Sequence, residues 1–61
     1  MLARAYFHSA ALGRAESELR VLLERDPGDA YAHLLLGRTL ERLGRAEEAA
    51  PYLKVAKILG T

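Results

Sequence analysis

Asp26-Pro27-Gly28-Asp29, followed by Ala30-Tyr31-Ala32-His33-Leu34-Leu35-Leu36-Gly37-Arg38-Thr39-Leu40-Glu41-Arg42-Leu43, is the stretch on which the fold of this chain turns. Proline cannot continue a helix and glycine turns cheaply, so the Pro27-Gly28 joint ends one helix. Asp29 then suits the N-cap of the next. Beyond Leu43 come a Gly44-Arg45 turn and a second apolar stretch ending near Leu59. Reversals this short pack neighbouring helices antiparallel. The result is a helix-turn-helix unit of roughly 34 residues, a period typical of repeat architectures.

Self-comparison supports a repeat. At a shift of about 34 residues, Leu2 falls on Leu36, Arg4 on Arg38, Ala15 on Ala49, Leu19 on Leu53 and Val21 on Val55; Ala3 meets Gly37, which keeps a small residue in place. The strongest contiguous match is Leu12-Gly13-Arg14-Ala15-Glu16, which recurs as Leu43-Gly44-Arg45-Ala46-Glu47. Its shift is shorter by roughly one helical turn. The expectation is one helix pairing used twice, with the turn placed slightly differently in each copy.

These residues resemble the tetratricopeptide repeat signature. Leu36-Gly37 and Leu40 on the first helix fit it, as do Gly44 at the turn, Ala49, Leu53 and Ala56 on the second helix, and Pro27 closing the preceding unit. The resemblance spans essentially the whole chain, as a single domain over 1–61. It comprises a truncated first repeat over 1–28 and a complete second repeat over 29–61. Three positions depart from the family pattern: His33 stands where Trp is usual, Leu40 where Tyr is common, and Gly60-Thr61 where a Pro is expected.

The pattern of small and large residues has a physical basis. Helix axes approach to the near end of the 8–10 Å range only where one helix offers Gly or Ala and the other fills the gap with Leu or an aromatic. Gly37 costs about 1 kcal/mol of helix propensity relative to Ala, so its position within a helix signals a close contact. Ala49 and Ala56 serve the same purpose from the second helix. These are building residues rather than ligands.

Composition points the same way. Hydrophobic residues make up 51% of the chain, and 9 Lys+Arg against 8 Asp+Glu give a net charge of +1. Leu, Ala, Arg and Glu dominate, which favours helix throughout. The arginines alternate with glutamates instead of clustering, so nucleic acid is not an expected partner. Glu16/Arg20, Arg14/Glu18, Arg20/Glu24 and Glu41/Arg45 stand at i,i+4 spacing and are read as solvated helix-surface pairs. There is no cysteine, which excludes disulfides and thiolate metal sites. No apolar run reaches membrane-spanning length, and the first residues lack the pattern of a signal peptide. No membrane association is therefore expected, and the expected compartment is the cytoplasm.

The sequence carries no catalytic constellation. His8 and His33 lack neighbouring carboxylates at metal-ligand spacing. There is no His-Glu-x-x-His, P-loop or glycine-rich phosphate fingerprint. Ser9 and Ser17 are not on a strand-to-helix elbow. Glu47-Glu48 opens a helix, where acids complement the macrodipole. Neither an enzyme nor a cofactor is expected.

Helices are predicted over 2–11, 14–25, 29–43 and 46–59, the last continuous with a local kink at Pro51. The fold class is all-α, with about four helices in antiparallel hairpins that the resemblance implies stack as a short right-handed solenoid. A chain of about 60 residues buries only about 60% of its unfolded surface, and solenoids usually need at least three units with a polar cap. Leu2, Ala3 and Tyr6 at one end, and Leu53, Ile58 and Leu59 at the other, are expected to face water. The chain is accordingly read either as part of a longer repeat protein or as one that associates through its uncapped ends.

The resemblance also implies a function. In the family, the first helix of each unit lines a concave groove that takes extended peptides or partner helices. By position, the groove residues here are Arg4, Phe7 and His8 from the first unit and Tyr31, Leu34, Arg38, Glu41 and Arg42 from the second, with Asp29 at the rim. Arg4 and Arg38 are expected to project in parallel. Leu34 and Leu35 stand where the family's carboxylate-clamp members carry polar residues, so capture of a C-terminal carboxylate is disfavoured. The expected function is a protein–protein interaction module. The alternative is a helical oligomerisation element with no dedicated ligand.

Overall fold

The computed structural model describes the backbone of residues 2–60 and the side chains of residues 10–60. It contains three helices: α1 (Leu2–Arg25), α2 (Ala30–Arg42) and α3 (Ala46–Gly60). The all-helical expectation holds among the described residues, but the helix count is corrected. The predicted break near Leu12-Gly13 is absent, and one 24-residue helix replaces the first hairpin. Gly13 keeps a helical backbone, since Gly44 alone among the described residues has a positive φ. The Ser17 hydroxyl donates to the Gly13 carbonyl at 3.2 Å. A glycine permits a left-handed turn without imposing it.

Elsewhere the local signals are realised. At the Pro27-Gly28 joint, the Asp29 N–H donates to the Asp26 carbonyl at 3.2 Å. Asp29 caps α2, its carboxylate accepting from the Ala32 N–H at 3.0 Å. The end of α2 is a Schellman motif: Gly44, at φ 79, donates to the Glu41 carbonyl at 3.0 Å, and Arg45 donates to the Leu40 carbonyl at 2.9 Å. Both bonds satisfy carbonyls that a helix end would otherwise leave open. Helix α3 runs unbroken through Pro51.

The core lies where α2 meets α3. Leu36, Leu40 and Ala49 are fully buried, with Leu19 and Leu23 of α1 and Tyr52 and Leu53 of α3 packed around them. Gly37 is where the helices close: a Cβ built there would lie 2.5 Å from Leu53 Cδ2 and 3.4 Å from the Ala49 carbonyl oxygen. The small-residue reading of Gly37, Ala49 and Ala56 is thus borne out, the two alanines being buried. Leu53, expected to face water, instead packs on the core. Ile58 and Leu59 do lie exposed; Leu2, Ala3 and Tyr6 have side chains outside the described residues.

Candidate partner-binding face

Two kinds of arginine divide the surface. Arg45 and Arg20 are committed to holding α1 against the α2–α3 hairpin. The Arg45 guanidinium donates side-on to both Glu48 oxygens, from Nε at 2.6 Å and Nη2 at 2.7 Å, and from Nη1 to Glu16 at 2.7 Å. Arg20 donates from Nε to Glu16 at 3.0 Å and from Nη1 to the Tyr52 hydroxyl at 2.8 Å. Its guanidinium carbon stands 5.6 Å from the Tyr52 ring centroid, within reach of a cation–π interaction. Hydrogen bonds from Arg45, then Arg20, hold the Glu16 carboxyl below its usual range, and Arg45 does the same to Glu48. Arg45 and Arg20 are in turn raised, chiefly by their bonds to Glu48 and Glu16 respectively.

The ion pairs divide evenly between local ones, Glu16–Arg20 and Arg45–Glu48, and ones that join distant segments, Glu16–Arg45 and Arg20–Glu48. Of the predicted set, Glu16/Arg20 forms. Among the described residues Arg14/Glu18, Arg20/Glu24 and Glu41/Arg45 do not. Arg45 lies past the helix end that Gly44 creates, so it turns back to Glu16 and Glu48 rather than to Glu41. Tyr52 escaped the sequence reading, as did the Glu16–Arg45 bridge. Their partners lie 32 and 29 residues away, and no local pattern encodes such contacts.

Arg38 and Arg42 behave differently. Both are exposed, and neither forms an ion pair among the described residues. Tyr31, Leu34, Arg38, Glu41 and Arg42 fall along one side of α2, as helical spacing dictates. Tyr31 is 68% exposed. With Leu34 it lines an open apolar groove of about 470 Å³, closed on its other side by Leu53 and Ala56 of α3. Asp29 sits at the start of this strip with its carboxylate already used in the cap. His33 turns inward: its ring lies 6.2 Å from that of Tyr52, and its Nδ1 is 2.9 Å from the Asp29 carbonyl oxygen.

Arg4, Phe7 and His8 fall on the N-terminal half of α1, and their side chains lie outside the described residues. Among the described residues there is no cluster of three or more His, Cys, Asp or Glu able to hold a metal ion. None of their helices is long and apolar enough to cross a membrane.

The tightly nested α2–α3 pair, with small residues at the point of closest approach, is the kind of hairpin from which helical-repeat proteins are built. A family model for the tetratricopeptide repeat matches residues 7–58. The chain belongs to that family. No curated protein and no solved structure matches it.

Proposed function

We propose that the chain is a non-catalytic, cytoplasmic protein-interaction module that receives a partner peptide or helix along the exposed side of α2. In this reading the second half of α1 stands for the closing helix of one repeat, and α2 and α3 form the next, as in a right-handed solenoid. Tyr31 and Leu34 offer apolar contact, and Arg38, Glu41 and Arg42 supply the charged selection. Arg4, Phe7 and His8 extend the surface onto α1, with Asp29 at the rim. The observation that carries this reading is the split among the arginines: Arg20 and Arg45 are bound within the fold, whereas Arg38 and Arg42 are not. Tyr and Arg are favoured at interface hot spots, and an Arg fork suits carboxylates. The test is capture on an array of extended acidic peptides containing aliphatic residues. Arg38→Glu and Tyr31→Ala should each abolish capture while leaving the circular dichroism spectrum intact. Equal capture by both variants and the unaltered chain would remove the reading.

Self-association is the second reading, and exposed apolar side chains favour it. Val21, Leu22, Ile58 and Leu59 are all exposed on a chain of 61 residues, more than isolated surface leucines would require.

A further inference from the structure

Helix α1 has two usable faces, and the fold covers one of them. Glu16, Leu19, Arg20 and Leu23 point at the hairpin. On the opposite side Ala11, Arg14, Ala15, Glu18, Val21 and Leu22 form a second stripe at helical spacing. Ala10, Ala11, Arg14, Ala15 and Glu18 line an open groove of about 290 Å³ there. Val21 is 51% and Leu22 41% exposed. Arg14 and Glu18 form no ion pair among the described residues, although they stand at the spacing at which such pairs form.

We propose that this face is the seat of a second copy of the chain, its α1 lying antiparallel across a two-fold axis near residue 16. The inference rests on the self-association reading and specifies its surface. The stripe is self-complementary in both charge and shape. An axis at that level sets Arg14 of each copy opposite Glu18 of the other, forming two equivalent salt bridges. The same register brings Val21 and Leu22 of one copy over Ala11 and Ala10 of the other, so large side chains enter the space that small ones leave. An isologous contact of this kind closes on itself as a dimer. Alanines along the crossing permit the close interaxial distances at the lower end of the 8–10 Å range. Because the hairpin packs on the opposite face of α1, the hairpins of the two copies lie on the outer sides of the paired helices.

Charge reversal tests the register. Sedimentation equilibrium should give twice the chain mass for the unaltered protein. Arg14→Glu and Glu18→Arg should each raise the dimer dissociation constant roughly tenfold or more by setting like charges opposite each other. The double variant Arg14→Glu/Glu18→Arg should restore it to within about threefold. Ala15→Cys, in a chain with no other cysteine, should form a disulfide-linked dimer with oxidised glutathione as the oxidant, and adding Arg14→Glu should suppress it; equal yield with and without Arg14→Glu overturns the α1 interface. A monomer at every concentration overturns both this inference and the self-association reading. A dimer indifferent to both single reversals, or not rescued by the double variant, overturns the α1 interface and leaves self-association standing.

Discussion

Gly37 sets the distance between α2 and α3, and its replacement by alanine should change sign with its neighbour. Alanine in a helix interior is favoured over glycine by about 1 kcal/mol. Against this, the added methyl would stand 2.5 Å from Leu53 Cδ2 and 2.6 Å from Leu53 Cγ, where carbons prefer about 3.5–4.0 Å. The strain reaches the branch point of the side chain as well as its tip, so Leu53 must change rotamer or the helices must part. Overpacking of this kind costs about 1–3 kcal/mol, which outweighs the propensity gain and leaves Gly37→Ala destabilising by up to about 2 kcal/mol. Leu53→Ala removes the obstruction at a cost of its own, about 2 kcal/mol at this half-buried position. In that background Gly37→Ala should stabilise by about 1 kcal/mol. Urea melts followed at 222 nm, with sucrose present to keep the weaker variants folded, complete the cycle. A coupling of about 1–3 kcal/mol is expected, and thermal midpoints should move roughly 4–8 °C per kcal/mol in a domain of this size. Equal stabilisation by Gly37→Ala in both backgrounds would mean that the helices do not meet at this point.

Other perturbations read separate parts of the fold. Gly13→Ala should stabilise by about 1 kcal/mol, since a methyl there meets nothing within 4 Å; Gly44→Ala should destabilise by about 1–2 kcal/mol, because φ at that turn is 79. Thermal melts of the two variants should shift in opposite directions. Pro51→Ala restores a donor within α3 and should stabilise by up to about 3 kcal/mol, seen as a higher urea midpoint. The carboxyls of Glu16 and Glu48 are held low by Arg45, so their contribution is present above the unfolded carboxylate range near pH 4.5 and is lost as pH falls through the lowered values. Arg45→Ala should therefore lower the midpoint at pH 7 more than at pH 3, and added salt should shrink the difference.

How much of this was legible follows from where each signal resides. The Asp29 cap, the Gly44 turn and the Gly37–Ala49 approach depend on residues a few positions apart or on a repeat visible by self-comparison, and all are realised. The single α1 and the arginine network depend on contacts between distant segments. Glu16 was legible as a partner of Arg20 because the two are one turn apart; its bond to Arg45 needs the fold first. Likewise the resemblance could name Arg38 and Arg42, but that Arg20 and Arg45 are engaged within the fold while these two are not is visible only once the helices are packed.

The same pentapeptide, Leu-Gly-Arg-Ala-Glu, makes the point within one molecule. At 43–47 it turns the chain and at 12–16 it stays in helix, so its own propensities cannot be what decides. The difference lies in what the turn brings together. Closing the chain at Gly44 buries Leu36, Leu40 and Ala49 and places Arg45 where both Glu16 and Glu48 can reach it. The helix at Gly13 puts the same glycine where the fold needs Glu16 aimed at Arg45 and Leu19 and Leu23 aimed at the core. Helical register carries those three side chains to one face together. A repeat signature therefore specifies which residues can approach closely, while the packing that surrounds each copy selects whether the chain bends between them.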